Sequence, residues 1–417
     1  MAERTSAKPI VIVGGGKTGG TAAATLREDG FSGPVVVINA EPGIPFGRPP
    51  LSKTYLRSEE DLSGWYVEPA DWYPAHDVEL LADSTVTAID ATAHTLALRS
   101  GRELEYQKVL IATGGRNRRL RIPGADLPGI HYLRTVAECD AIKREAVAGR
   151  RAVVVGMGFI GCEVAASLTQ LGVSVTAVFP SKHPLDRVLG EQIGALIGAI
   201  HRSKGVRLLP GAQVAAFEGT TRLAAVVTAD GERIECDFAV AGVGIAPDVS
   251  AVSGSSVAQE NGILVDELCR TSVADIYAAG DVANHLHPVL GRVRVEHYNS
   301  AEHHGTAAAG SMLGSTVPFD YIHNFWSDQY EHTLQYVGHV TKWDDFAVRG
   351  NLAERKAVGF YLLGGVVRAA IGFDRGGDPE YEPNSEMAAC AQLVARRAQP
   401  DRGRLTDEHT DLRSLAG

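Results

Sequence analysis

Cysteine is scarce in this chain, and no two cysteines stand near one another. The 5 present, Cys139, Cys162, Cys236, Cys269 and Cys390, are scattered. That argues against a C-x-x-C redox motif and against a zinc site of similar spacing. Each reads as a small buried apolar residue. Long apolar runs are missing too, since none approaches the roughly 20 residues that span a bilayer. Residues Met1 to Pro9 carry no apolar signal core, so the expected compartment is the cytoplasm, with no membrane partner. Basic charge is not in excess: 40 Lys and Arg against 50 Asp and Glu leave a net charge of −10. That balance offers no reason to expect nucleic acid. The 14 histidines, among them His285, His287 and His303-His304, show no metal-ligand spacing with acids or cysteines. No metal is expected.

Glycine, by contrast, is plentiful at 46 of 417 residues, and it concentrates in two fingerprints. The first, Gly14-Gly15-Gly16-Lys17-Thr18-Gly19, follows the apolar run Ile10 to Val13. The second, Gly156-Met157-Gly158-Phe159-Ile160-Gly161, follows Ala152 to Val155. Both read G-x-G-x-x-G between a strand and a helix. The first glycine makes the tight turn, the second admits a pyrophosphate, and the third lets helix pack on strand. Phosphate then meets free N–H groups at a helix N-terminus. One such motif is a weak signal. Two in one chain point to a flavin enzyme that also binds a nicotinamide nucleotide.

The chain is too long for one ordinary core, so two or three domains are expected. The reading is α/β: two Rossmann-like nucleotide-binding domains and a small C-terminal α+β domain. A discontinuous first domain takes residues 1–115 and 248–322. The second, with its connection, takes 116–247, and the C-terminal domain takes 323–417. Strands are expected at Ile10–Val13, Val35–Ile38, Val86–Ile89, Thr95–Leu98 and Lys108–Ala112, then at Val173–Phe179 in the second unit. A helix is expected from Val136 to Ala148, closed by Gly149. Glu41, just past the second strand, stands where an acid reaches adenosine ribose hydroxyls. The strand ending at Ala112 runs into Thr113-Gly114, where backbone can pass close to a ligand. Gly244 closes the second unit.

Several stretches together carry a resemblance. They are Arg48-Pro49-Pro50-Leu51-Ser52-Lys53, Ala112-Thr113-Gly114, Gly158-Phe159-Ile160-Gly161-Cys162-Glu163, Ala278-Ala279-Gly280-Asp281, Val295-Glu296-His297 and Phe325-Trp326-Ser327-Asp328-Gln329-Tyr330. With the first fingerprint, they make the chain resemble the pyridine-nucleotide ferredoxin reductases of the putidaredoxin- and rubredoxin-reductase type. Apoptosis-inducing factor is a more distant relative. The match runs from about residue 9 to 410, and Arg-Pro-Pro-Leu-Ser-Lys with Phe-Trp-Ser-Asp-Gln is its narrowest part.

The resemblance implies FAD on the first domain, with its pyrophosphate on Gly14, Gly16 and Gly19 and its ribose on Glu41. Arg48 adds fixed positive charge near the phosphates. Gly280 and Asp281 form a turn at the ribityl chain or the phosphates. Thr113, Gly114, Glu296, His297, Tyr298 and Trp326 complete the flavin site, with Trp326 either against the ring or in a plain aromatic core. Lys53 lies beside the flavin and tunes its potential, unless it is only a surface lysine. Glu163 points to the nicotinamide, unless it serves only the helix dipole. Gly156, Gly158, Ile160, Gly161 and Gly244 hold the nicotinamide nucleotide.

Two departures from that pattern stand out. Phe179-Pro180-Ser181-Lys182-His183 lacks the ribose-binding acid of an NAD site, and Lys182, His183 and Arg187 offer charge for a 2′-phosphate. NADH is expected, with NADPH open. Gln107 replaces a common Asp and has no assigned use. The implied activity is FAD-dependent transfer of electrons from NAD(P)H to a one-electron carrier. That carrier is most often a [2Fe–2S] ferredoxin serving an oxygenase or P450, with rubredoxin as another choice, and the protein a monomer or homodimer. The basic run Arg116 to Arg121 either steers such an acidic carrier or is a solvated face. A slowly reducing signalling flavoprotein is the alternative. A thiol–disulfide reductase lacks its cysteine pair.

Overall fold

A computed structural model describes residues 7–416. The part of the N-terminal expectation that falls on residues 1–6 lies outside it. No helix among the described residues is long and apolar enough to cross a membrane.

The first sheet runs in the order Ile276–Ala278, Lys108–Ile111, Ile10–Val13, Val35–Ile38, Val78–Leu81, all parallel. Strands Ile10–Val13 and Val35–Ile38 are apolar at every position, and Lys108–Ile111 at all but its first, because both faces are covered. Helix Lys17–Glu28 lies against helix Tyr298–Met312 at close range. A Cβ at Gly305 would stand 2.5 Å from the Thr18 carbonyl, so only glycine permits the crossing.

A second parallel sheet takes the order Arg207–Pro210, Ser174–Phe179, Arg151–Val155, Phe238–Ala241, Ile130–His131. The chain passes from the first sheet towards the second through Gly115–Asn117 and returns through Ile245–Pro247. These two short strands pair antiparallel, so both crossings share one ribbon. The expected helix ends three residues early, at Val136–Glu145. Beyond it Gly149 turns at φ +83° and gives its N–H to the Gly172 carbonyl at 2.9 Å, which ends the helix and leads into strand Arg151–Val155.

The third sheet is antiparallel: Asn324–Gln329, His332–Gly338, Val366–Phe373, Lys356–Leu363, Asp345–Asn351. Helix Glu386–Ala395 covers it. One apolar core joins all three parts, with Leu51 and Leu56, Val154 and Cys162, and Phe325 and Tyr336 in a single cluster. The site between them is therefore fixed from three sides.

Candidate active site

Gly14 leaves its strand at φ +129°, where a Cβ would lie 2.2 Å from the Ala112 carbonyl. Only glycine makes this turn. Gly16 differs, since a Cβ there would meet nothing within 4 Å. Its backbone faces open space at the start of helix Lys17–Glu28, which has no side-chain cap. The unmatched N–H groups of that helix end suit an anion.

That space is a cavity of about 750 Å³. Gly14, Gly16, Glu41, Arg48, Lys53, Thr113 and Gly114 line it, as do Ile160, Glu163, Asp281, Glu296, His297, Tyr298 and Trp326. The other expected residues do not. Gly19 and Gly161 are pressed under the carbonyls of Gly14 and Gly156, where a Cβ would sit 1.9 and 2.0 Å away, so they act in packing. Gly280 faces Thr18, and only its neighbour Asp281 reaches the wall. Gly156, Gly158 and Gly244 lie outside the cavity, in the second unit. There Gly156 turns at φ +94° and Gly244 at φ +93°, while Gly158, like Gly16, faces open space.

One end of the cavity is polar. Arg48 donates to Glu41 at 2.6 Å and to the Arg134 carbonyl at 2.6 Å. The other Glu41 oxygen accepts the Val136 N–H at 3.3 Å. Burial first, then the nearby Arg134, lowers the Arg48 guanidinium from its usual range. Arg134 in turn pairs with Asp281 at 3.0 Å. Glu296 is raised above an ordinary carboxylate, chiefly by burial, against the pull of Arg294 at 2.8 Å.

At the other end Lys53 and Glu163 form an ion pair at 2.7 Å, with side chains 12% and 3% exposed. The Ser52 hydroxyl donates to the same carboxylate at 2.5 Å, and the Ser327 hydroxyl to its second oxygen at 2.7 Å. A glutamate on the second-fingerprint helix is thus gripped by the Pro-rich segment and by the third sheet. Aromatic rings close this end. His297 packs on Phe325 at 4.4 Å, and Tyr298 stands edge-on to Trp326 at 5.7 Å and to Trp65 at 5.9 Å. His297 Nδ1 is buried without a partner.

All five cysteines are free and buried, and none lines the cavity. Among the described residues no three His, Cys, Asp or Glu form a metal-binding group. Within the basic run, Arg116 is tied to Asp248 at 2.6 Å and Arg119 lies 4.7 Å over the Tyr132 ring. The charge thus serves the interdomain ribbon in part. Gln107 binds the Lys8 carbonyl at 2.7 Å, a tether for the first strand. Lys182 pairs with Glu191, and His183 Nε2 lies 3.8 Å from the same carboxylate.

The pyridine nucleotide-disulphide oxidoreductase family matches residues 8–305, and the reductase C-terminal family matches 324–416. The chain belongs to the pyridine nucleotide-disulphide oxidoreductases. Within that family it is similar to the ferredoxin–NAD(+) reductase component of the anthranilate 1,2-dioxygenase system of Burkholderia cepacia. The two are 36% identical over 98% of this chain and 100% of the other. Rhodocoxin reductase of Rhodococcus erythropolis is 37% identical over 82% of this chain and 81% of its own. The structure of a covalent putidaredoxin reductase–putidaredoxin complex superposes with a TM-score of 0.91, at 33% identity and 98% coverage of each chain. This pyridine nucleotide-disulphide oxidoreductase is of the ferredoxin-reductase type, and none of its cysteines lines the cavity.

Sequence reasoning missed Arg134, Ser52, Ser327 and Glu191. The two serines stood inside quoted motifs, which was a usable signal. Arg134 and Glu191 had none.

Proposed function

We propose that this chain is an FAD-dependent reductase that takes electrons from NADH and passes them to a [2Fe–2S] ferredoxin. The supporting observation is the single cavity running from the first fingerprint to Glu163, on the helix that starts the second. The residues fit FAD. Gly16 presents open backbone at a helix N-terminus, Glu41 and the paired Arg48 and Arg134 suit a ribose and phosphates, and the aromatic end suits a ring system. Bound there, FAD accepts two electrons together and returns them singly, which the one-electron carrier requires.

The protein supplies binding and electrostatics. Lys53 places a buried cation at the aromatic end, and Glu163 holds that ammonium through the 2.7 Å pair, so charge at the ring is set by the fold. The rings of His297, Phe325 and Trp326 exclude water and limit how a second ring can lie. Gly156, Gly158, Ile160 and Gly244 would hold the nicotinamide nucleotide beyond Glu163, with Gly161 packing their helix against its strand. The choice of NADH rests on Glu191, whose carboxylate neutralises Lys182 and opposes a 2′-phosphate. The carrier is inferred from relatives named as ferredoxin reductases, with rubredoxin the other small carrier to try. The same reading takes the chain as a cytoplasmic monomer or homodimer divided into residues 1–115 with 248–322, 116–247 and 323–417.

The test is anaerobic rapid mixing of the flavin-loaded protein with NADH or NADPH, then with a ferredoxin. Fast bleaching by NADH and prompt ferredoxin reduction are expected. Slow bleaching by both nucleotides, with no electrons passed on, would favour a signalling flavoprotein.

A further inference from the structure

Behind the Gly280-Asp281 turn lies a cluster of buried imidazoles that the cavity does not touch. His285 and His287 come from strand Ala283–His287, His304 from helix Tyr298–Met312, and His323 from just before strand Asn324–Gln329. Their exposures are 2%, 2%, 3% and 0%. His285 Nε2 and His323 Nε2 stand 3.2 Å apart, and the His285 and His304 rings 4.9 Å apart. Burial holds all four below the ordinary imidazole range, helped by neighbouring imidazoles at His285, His304 and His323.

His304 has a particular task. Its Nδ1 accepts the Gly280 N–H at 3.1 Å. The ring must therefore be neutral, with its proton on Nε2, a buried atom that has no partner. The ring lies flat on Phe319, 4.3 Å away with a 1° tilt, so it cannot turn without losing that stack. Gly280, at φ +73°, sits against Thr18, and the next residue, Asp281, carries the carboxylate that lines the cavity and pairs with Arg134.

We propose that His304 is a positioning residue for the flavin: as a neutral imidazole it anchors the Gly280 N–H, so its protonation frees the Gly280-Asp281 turn and releases FAD. This rests on the assignment of FAD to the first-fingerprint cavity.

Protonation would set an Nδ1–H against the Gly280 N–H, donor against donor. In the closed turn the imidazole is held to about 3, against an ordinary value of 6.5 once the ring meets water. A group depressed in this way favours the open form increasingly as pH falls from 6.5 towards 3, and contributes nothing above 6.5. The titratable and charged groups facing it act in the same sense or at one remove. His285 and His287 face it from the neighbouring strand and His323 from the connection to the third sheet. Arg292 and His339 press on His285, and Asp320 pulls on His287. On its own helix, His303 is engaged by Glu380 at 2.6 Å.

FAD affinity of the wild type, His304→Gln and His304→Phe, measured by flavin fluorescence from pH 8 to pH 5 with far-UV circular dichroism in parallel, tests this. Glutamine offers an acceptor that does not titrate. At pH 8, His304→Gln should bind FAD within about threefold of wild type. His304→Phe, which leaves the N–H unpaired, should bind about tenfold more weakly or worse. Below pH 6.5 the wild type should lose affinity faster than His304→Gln, by up to about tenfold per pH unit. Parallel loss in wild type and His304→Gln overturns the proposal, as does unchanged binding in His304→Phe. So does a wild type that unfolds before it sheds flavin. If His304→Phe is insoluble, the comparison with His304→Gln decides. FAD bound by none of the three at any pH would remove the cavity assignment itself, and this proposal with it.

Discussion

Removing the Lys53–Glu163 pair is the perturbation that probes the most structure at once. Glu163 belongs to the second-fingerprint helix, Lys53 to the Pro-rich segment and Ser327 to the third sheet, so the carboxylate ties three parts together. Glu163 is 3% exposed and cannot follow a lost partner into water, whereas Lys53, at 12%, has a short way to go. Leaving a buried charge unpaired costs about 3–5 kcal/mol. Lys53→Met should therefore sit near that lower bound, at about 3 kcal/mol, because the two serine hydroxyls still solvate the carboxylate. Glu163→Gln should cost less, about 2 kcal/mol, as the ammonium relaxes outward. The double variant leaves no orphan charge and should fall about 2 kcal/mol short of the sum. The assay is urea unfolding of all four proteins at low and high salt, read at the transition that separates the nucleotide-binding halves. A buried pair should keep its coupling in salt. Coupling below about 0.5 kcal/mol, or coupling that salt erases, would refute the argument, because that is how an exposed ion pair behaves.

Other outcomes follow from the same contacts. Gly16→Val should preserve secondary structure by circular dichroism, because its side chain enters open space, yet weaken FAD binding about 100-fold by filling the phosphate approach. Gly14→Ala should instead fail to give soluble protein, since its Cβ would meet the Ala112 carbonyl at 2.2 Å. Glu191→Gln should move the NADPH-to-NADH ratio of kcat/KM about tenfold towards NADPH by freeing Lys182, and that gain should shrink in high salt. Glu380 is held down at about 2, first by its hydrogen bond from His303 and then with help from Tyr321 at 2.6 Å. Its folded-state value is below the ordinary 4.5, so its stabilisation is whole above 4.5 and lost as pH falls towards 2. Glu380→Gln should cost about 2 kcal/mol at pH 7, after allowance for its partial exposure, and flatten the acid limb of the stability curve.

The legible part of this protein was local. Strand, turn and helix at Gly14 to Gly19 follow from a short apolar run and from glycines that alone tolerate φ +129° or a carbonyl 1.9 Å from a Cβ. Those constraints act within about ten residues, and the same logic read the second fingerprint and the buried, unpaired cysteines. Lys53 and Glu163 were each picked out by motif, but as separate groups. Their pairing spans 110 residues, and the Ser327 contact spans 164. Arg134 meets Asp281 across 147 residues, and nothing near Arg134 marks it as part of the cavity wall. Glu191 meets Lys182 across the start of a helix that Gly190, at φ +77°, interrupts, a kink that residue spacing alone does not show. Chain geometry over a few residues is steric and can be read in one dimension. Which charges end up facing one another depends on how sheets and helices pack, and so only the tertiary structure decided it.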